Sequence, residues 1–251
     1  MFNHPVIISG IENCEVENRY IQWVDSIIKV GETNLTTYDQ FMSNHFPNLI
    51  LRPPLFYNWN VGIRFELGDS NAYDLDPNLY MERVYKRAIE LFKAINEIND
   101  EIIIVTNAFF AYKLKNKVKR VNLYRKYIKS KHLLRNLKLN VIPDVFADED
   151  EIPDELNNTY RYMINCNVNE LDYSNLIKAI CNQDVGIKPS IYHDVFFLNI
   201  RRGTIYHIYD DRGCDVISNS ISGIKDIFLK YNDWILNYDR ESIYKTMDEV
   251  F

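Results

Sequence analysis

Apolar positions in the first half of the chain predict helices and strands in alternation. Glu17–Ile28 and Tyr38–Phe46 are each typical of a short helix. Residues 61–67, Val-Gly-Ile-Arg-Phe-Glu-Leu, alternate apolar and charged side chains, which predicts a strand with one polar face. Arg64 and Glu66 are two residues apart, so we expect both side chains on that polar face.

The next segment predicts a long helix followed by a buried strand. Asp76 is a suitable N-cap, and Pro77 suits the first helical position because an N–H is not needed there. Apolar residues then repeat at helical spacing from Met81 to Ile95. Glu101–Thr106 contains four consecutive apolar residues, as in a strand buried on both faces. Strand, helix and strand in this order predict a crossover unit within a sheet.

The second half predicts antiparallel strands and further helices. Arg201-Arg202-Gly203-Thr204 is a loop of hairpin length that contains glycine, and Asp211-Arg212-Gly213 is a second turn. The strands that these turns join form a three-strand meander. The predicted strands are Thr159–Cys166, Tyr192–Ile200, Ile205–Asp210 and Cys214–Ile217, and the helices are Asp172–Asn182, Ser222–Lys230 and Asp239–Val250.

Together these elements predict an α+β fold. Its mixed sheet has a strand–helix–strand first half and an antiparallel meander plus helices in the second half. The length of 251 residues suits one globular domain that spans residues 1–251. The acidic stretch near 147–157 is the one candidate for an internal boundary, and we interpret it as a surface loop.

Composition favours a cytoplasmic globular protein. The chain is 47% hydrophobic and 25% charged, which is ordinary for a globular domain. It contains no apolar run of about 18 residues, as a membrane span requires, and its N-terminus lacks the basic leader of a signal peptide. The four cysteines are not spaced as a zinc site or a redox pair. We therefore expect buried thiols, no metal and no cofactor, and the sequence leaves the oligomeric state open.

Charge is distributed unevenly, and this leaves three hypotheses open. Segment 113–138 carries eleven Lys or Arg residues and no acidic residue, and an acidic segment follows it. The two segments could neutralise each other through surface ion pairs, or the acidic one could meet a basic protein. Alternatively, segment 113–138 could hold a nucleic-acid backbone while Tyr112, Tyr124 and Tyr127 stack on bases. The net charge of −6 argues against nucleic acid.

The predicted meander also carries residues that are typical of a hydrolase or a metal enzyme. A histidine beside an aspartate can act as a general base, with Cys214 as a nucleophile, and paired carboxylates attract hard cations. Asp-Arg-Gly is also ordinary turn chemistry, and no glycine-rich phosphate loop accompanies it. An enzyme is therefore the alternative hypothesis, and its polar cluster is His193, Asp194, His207, Asp210, Asp211 and Arg212.

Four segments carry a family resemblance. They are Leu51–Leu67, Tyr80–Ala88, Tyr209–Asp215 and Trp234–Arg240. They resemble an uncharacterised bacterial family, domain of unknown function 3885, and the likeness spans roughly residues 35–245. No catalytic residue is assigned to that family, and its members are loosely associated with Rhs-type and other polymorphic-toxin loci. The resemblance therefore implies an immunity protein that binds and blocks a cognate toxin.

The expected function is thus that of a non-catalytic, cytoplasmic protein-binding protein. A toxin-like protein with a basic surface, such as a nuclease, is the expected partner. Trp59 is a candidate anchor, either for the core or for a partner, since aromatic side chains concentrate binding energy. The predicted contact residues are Asp148, Glu149, Asp150, Glu151, Asp154, Glu155, Trp59, Arg64 and Glu66.

Overall fold

The computed structural model describes residues 36–69, 76–109, 122–147 and 158–248. The described residues from Tyr38 onwards form one compact unit. The predicted helix Glu17–Ile28 lies outside the described residues. The strands are β1 (Gly62–Glu66), β2 (Glu101–Phe109), β3 (Lys138–Pro143), β4 (Asn158–Asn167), β5 (Asp194–Asn199), β6 (Thr204–Ile208) and β7 (Gly213–Ser218). The α-helices are α1 (Thr37–His45), α2 (Pro77–Ile95), α3 (Asn122–Tyr127), α4 (Tyr173–Cys181), α5 (Lys225–Lys230) and α6 (Arg240–Asp248).

All seven strands belong to one sheet, in the order β1-β7-β6-β5-β2-β4-β3. Every neighbouring pair is antiparallel. The predicted α+β class is confirmed, although the described pairings are antiparallel throughout rather than mixed. The predicted meander is β5-β6-β7, and Gly203 adopts a φ of 63° in its first turn, a conformation that glycine tolerates without strain.

Helix α2 connects β1 to β2 across three intervening strands. Four successive antiparallel pairings separate the two strands, so they run in the same direction, as in the predicted crossover. The helix begins as its sequence predicts, because the Asp76 carboxylate accepts hydrogen bonds from the backbone N–H groups of Asn78 and Leu79 at 3.0 and 3.1 Å. Its apolar stripe, from Met81 to Ile95, is buried.

The sheet lies between two hydrophobic cores. Helices α2 and α4 cover one face, where residues such as Phe65, Phe197 and Tyr206 point into the larger core. Helix α1 and the segment that follows it cover the other face, where Phe196 and Leu198 point into the smaller core. Alternate residues of β5 therefore enter opposite cores, as strand geometry requires. Among the described residues, no helix is long and apolar enough to cross a membrane.

The basic segment 113–138 contains structure that its sequence pattern did not predict. Helix α3 and a 3-10 helix (Lys131–Asn136) lie within it, and β3 begins at its last residue, Lys138. Strands β3 and β4 flank the acidic stretch 148–157 in sequence and pair with each other from Lys138–Met163 to Pro143–Asn158. The chain before that stretch and the chain after it therefore belong to the same sheet.

Candidate functional site

Two members of the predicted polar cluster, Asp194 and His207, lie on neighbouring strands. His207 is opposite Phe196 in the β5–β6 register and stacks on its ring at 4.4 Å. Asp194 is two residues before Phe196, so it shares that face of the sheet. Burial raises the pKa of Asp194. The Asp194 Oδ2 and His207 Nε2 atoms are buried and lack hydrogen-bond partners among the described residues.

Three other members of that cluster, Asp210, Asp211 and Arg212, are on the β6–β7 turn, whereas the fourth, His193, directly precedes β5 and is half-buried. The Asp210 carboxylate accepts hydrogen bonds from the Arg212 backbone N–H and Nε at 2.7 and 2.8 Å. Asp211 accepts a hydrogen bond of 2.5 Å from the Tyr80 hydroxyl of α2, and Tyr80 lies in the larger core. The structure therefore brings Asp194 and His207 together but does not add Asp210, Asp211 and Arg212 to them.

The described residues around the meander form neither a metal-binding group nor a reactive thiol. Within the described ranges, no three His, Cys, Asp or Glu side chains are grouped so that they could hold a metal ion. The thiols of Cys166, Cys181 and Cys214 are free and buried. Burial raises the pKa of Cys166 to about 12 and that of Cys214 well above its usual value. A thiol with a raised pKa is a poor nucleophile, because the thiolate is the reactive form.

Arg64 lies in a buried ionic cluster at the β1 end of the sheet. Its Nε and Nη2 atoms contact the two carboxylate oxygens of Asp215 at 2.9 and 3.3 Å, and its Nη1 is 3.5 Å from Asp239. The Tyr57 hydroxyl donates to Asp239 at 2.9 Å, and the Tyr57 ring lies 4.5 Å from the guanidinium carbon. We refer to Arg64, Asp215, Asp239 and Tyr57 as the Arg64 cluster.

The electrostatics of this cluster favour a permanent positive charge on Arg64. Burial opposes that charge, but hydrogen bonds to Asp215 and its negative charge raise the pKa of Arg64 above its usual value. Asp215 also accepts a hydrogen bond from the backbone N–H of Phe56 at 3.1 Å. A buried carboxylate with three donors is held in one geometry. The Arg64 cluster therefore fixes the loop before β1 onto the sheet.

Glu66 of β1 and Trp59 just before β1 also contact other parts of the protein. Both were predicted to contact the partner. The Glu66 carboxylate is 3.7 Å from both Arg83 and Arg87 of α2. The Trp59 indole N–H donates to the Ser218 carbonyl at 2.7 Å, and its ring lies 5.0 Å from that of Phe46. At this end of the sheet the exposed aromatic side chains are Tyr57 and Tyr238, at 55% and 85%.

The four segments that carry the family resemblance meet around the Arg64 cluster. The ion pair of Arg64 with Asp215 joins the first segment to the third, and the Tyr57–Asp239 hydrogen bond joins the first to the fourth. The Tyr80–Asp211 hydrogen bond joins the second to the third. The guanidinium of Arg87, in the second segment, lies 5.1 Å from the ring of Trp234 in the fourth.

The sheet ends differently at β3, its other outermost strand. Leu139 and Val141 of β3 are 46% and 55% exposed, and the intervening Asn140 is exposed as well. Phe109, at the end of β2, and Phe146, just after β3, form a second exposed pair with ring centroids 5.4 Å apart. We call β3 together with Phe109 and Phe146 the β3 edge.

Comparisons with known proteins agree with the resemblance seen in the sequence. Residues 38–239 match the family described as Domain of unknown function (DUF3885). The chain belongs to this family. It is similar to the uncharacterized protein YnaE of Bacillus subtilis (strain 168), with 33% identity over 213 residues that cover 79% of this chain and 96% of that protein. No solved structure matches the chain.

The predicted acidic contact of this DUF3885 protein lies outside the described residues. Asp148, Glu149, Asp150, Glu151, Asp154 and Glu155 all belong to the connection between β3 and β4. The connection begins and ends at Pro143 and Asn158, which are paired in the β3–β4 register. The connection that carries the acidic residues therefore starts at one end of the β3 edge.

In the basic segment, two of the three tyrosines expected to stack on nucleic-acid bases are buried. The Tyr124 hydroxyl donates to Thr106 at 2.9 Å, and both Tyr124 and Tyr127 lie in the larger core. Neither ring can therefore stack on a base. Tyr112 lies outside the described residues.

The sequence interpretation missed Leu139, Val141, Phe109 and Phe146. Their one signal is the alternation of polar and apolar residues in Lys-Leu-Asn-Val-Ile-Pro, residues 138–143, which is the period of a strand. That alternation is short and begins inside a run of basic residues, so the charge pattern dominated its interpretation.

Proposed function

We propose that this DUF3885 protein is a non-catalytic binding protein whose protein partner docks on the β3 edge. The exposed apolar pair Leu139 and Val141 on an outermost strand is the observation that carries the proposal. An outermost strand has one side on which another chain can add by backbone hydrogen bonding, and natural proteins usually protect such strands with charge, proline or a covering segment. Strand addition is a recurring mode of protein recognition, in which alternate side chains supply specificity.

The charges at the two ends of β3 support a partner strand of defined direction. Lys138, the first residue of β3, closes the basic segment, whereas Asp144 and the acidic residues of 148–155 follow its last residue. Complementary charges across an interface select the register and suppress wrong partners more than they raise affinity. The preferred partner strand therefore has acidic residues near Lys138 and basic residues near Asp144.

An immunity protein that neutralises a cognate bacterial toxin is the specific form of this proposal. Its support is the immunity role that the sequence resemblance implies, together with an exposed edge strand that could bind a partner without any reactive group. The acidic connection between β3 and β4 would then contact a basic surface of the toxin, next to the strand that docks on β3.

The experiment compares binding by matched variants. The partner is captured from nuclease-treated lysate on the immobilised chain, identified by mass spectrometry, purified and titrated. We expect the double variant Leu139→Asp/Val141→Asp to weaken binding at least about tenfold, since charged side chains would replace the apolar contact at the centre of the interface. Leu229→Asp, at an exposed leucine of α5, is the matched control and should leave the dissociation constant unchanged.

A third variant separates the two ends of the sheet. Tyr238→Asp introduces the same charge beside the Arg64 cluster, where Trp59, Arg64 and Glu66 were predicted to contact the partner. An unchanged dissociation constant for the β3 double variant would disprove docking on the β3 edge. Weakening by Tyr238→Asp alone would place the contact at the β1 end instead.

A further inference from the structure

A cleft of about 320 Å³ opens among helices on one side of the sheet. Helices α2, α3 and α4 and residues 187–189 form its walls. Three lysines line it, Lys126 from α3, Lys178 from α4 and Lys188 from the segment after α4. The volume is at the small end of the range for ligand pockets, about 300–1,000 Å³, so it suits a small molecule.

Hydrogen bonds between the walls hold the cleft in shape. The Tyr85 hydroxyl donates to the Asn182 side-chain oxygen at 2.5 Å, and the Asn182 amide donates to the Pro189 carbonyl at 2.9 Å. On the other side, the backbone N–H of Asp172 donates to the Tyr127 carbonyl at 2.8 Å. The three helices and the 187–189 segment are thus tied together before any ligand binds, which lowers the entropic cost of binding.

The three lysines give the cleft a positive charge that the described residues do not neutralise by ion pairing. None of them forms a salt bridge with a described residue. Lys126 and Lys178 lie over the rings of Tyr127 and Tyr85, at 5.3 and 5.5 Å from the ring centroids. Lys188 donates hydrogen bonds to the hydroxyls of Ser190 and Tyr192. Neutral contacts of this kind position an ammonium group and leave its charge available to an anion.

Tyr127, one of the residues that line the cleft, has a buried and unsatisfied hydroxyl group. The Tyr127 side chain is buried, and its hydroxyl has no hydrogen-bond partner in the part of the chain that the structure describes. A buried polar group without a partner costs about 1–3 kcal/mol, so such a group in the wall of a cleft points to a ligand that supplies the missing hydrogen bond.

The cleft also contains one carboxylate, that of Asp172, which accepts a hydrogen bond from Asn175 at 2.8 Å. A carboxylate repels a bare anion but accepts hydrogen bonds from hydroxyl groups. With three ammonium groups beside it, the lining suits a molecule that carries both an anionic group and hydroxyl groups.

We propose that this cleft binds a small hydroxylated phosphate monoester, such as a sugar phosphate. Lys126, Lys178 and Lys188 would neutralise the phosphate, Tyr127 would donate its hydroxyl proton to a phosphate oxygen, and Asp172 would accept a hydrogen bond from a hydroxyl group of the ligand. The proposal is independent of docking on the β3 edge, so either can fail without the other.

Calorimetric titration of the whole chain with ribose 5-phosphate at low ionic strength tests this site, with ribose and inorganic phosphate as reference ligands. We expect ribose 5-phosphate to bind more tightly than either reference ligand. Lys126→Met should weaken binding about tenfold, because it removes a charged hydrogen-bond donor. Lys230→Met is the matched control, since Lys230 lies over the ring of Tyr231 at 5.0 Å but outside the cleft.

A second variant distinguishes ligand binding from a structural role. Tyr127→Phe should weaken ribose 5-phosphate binding without lowering the free energy of unfolding of the unliganded protein, because the hydroxyl loses no protein partner. Absence of ribose 5-phosphate binding at millimolar concentration would disprove the site. So would equal weakening by Lys126→Met and Lys230→Met, which would show attraction by overall charge alone.

Discussion

At the β1 end of the sheet the outermost strand is covered, whereas at the β3 end it is exposed. A bridge from Phe65 to Ile235 and a hydrogen bond of 2.9 Å from the Leu236 N–H to the Arg64 carbonyl close the outer side of β1. Leu139 and Val141 keep about half of their surface in solvent. Contacts among the four segments of the family resemblance therefore stabilise the β1 end of the sheet, whereas the β3 end, where we propose that a partner docks, has no such cover among the described residues.

The largest expected effect is the loss of stability when the Arg64 cluster is broken. Asp215→Asn removes the nearer of the two carboxylates that balance the buried Arg64, and breaking a buried ion pair in this way typically costs about 3–5 kcal/mol. Urea unfolding measures the change. Asp226→Asn is the control because Arg202–Asp226 is also an Arg–Asp pair, but Asp226 is largely exposed and its loss should cost less than about 1 kcal/mol. Equal losses would show that the cluster is no stronger than a surface pair.

A smaller effect is expected at Asp100, which belongs to neither end of the sheet. Burial alone would raise the pKa of Asp100, but hydrogen bonds from Arg201, the Glu97 backbone N–H and Asn199 lower it from 3.8 to about 2. A lowered pKa in the folded state stabilises the protein above the unfolded-state pKa, and this contribution is lost as the pH falls through the folded-state value.

Because the stabilisation by Asp100 is lost at low pH, it can be measured from the pH dependence of the free energy of unfolding. We expect the difference in the free energy of unfolding between wild type and Asp100→Asn to shrink by about 1–2 kcal/mol between pH 5 and pH 2. This change is smaller than the full pKa shift of Asp100 implies, because Arg201 is half exposed and solvent screens its pair with Asp100. A difference that stays constant over this pH range would contradict the lowered pKa. Partner binding at neutral pH should be the same for both proteins.

The smallest expected effect on stability is at the β3 edge. Leu139→Asp/Val141→Asp should change the free energy of unfolding by no more than about 0.5 kcal/mol per substitution, because both side chains already contact solvent. Urea unfolding of the double variant checks this value. A loss comparable to that of Asp215→Asn would show that the two ends of the sheet are equally important for stability, and would remove the contrast between them.

Local patterns predicted the elements whose chemistry is contained in a few neighbouring residues. Helix α2 was predicted from the Asp76 cap, Pro77 and the apolar stripe that follows. The meander was predicted from its turns, where Gly203 supplies the positive φ. In both cases, residues within one or two turns of each other fix the conformation, so a single sequence contains the necessary information.

The partners of Arg64 could not be predicted in the same way. Arg64 and Glu66 were expected on one polar face of β1, but a strand pattern does not specify the opposite strand. Asp215 is 151 residues away in the sequence and reaches Arg64 only because β7 pairs with β1. The exposure of Leu139 and Val141 was missed for the same reason, since it depends on β3 being the last strand in the order of the sheet.

The separation of these residues also has a consequence for the order in which the protein is made. Tyr57 and Arg64 are synthesised early, whereas Asp215 and Asp239 follow 151 to 182 residues after the partners they bind. At about 5–20 residues per second, the ribosome adds the missing carboxylates about 8–36 s later. Throughout that interval the nascent chain carries β1 without β7 and Arg64 without its counter-ions. The β1 end of the sheet is therefore completed only after Asp215 and Asp239 have left the ribosome.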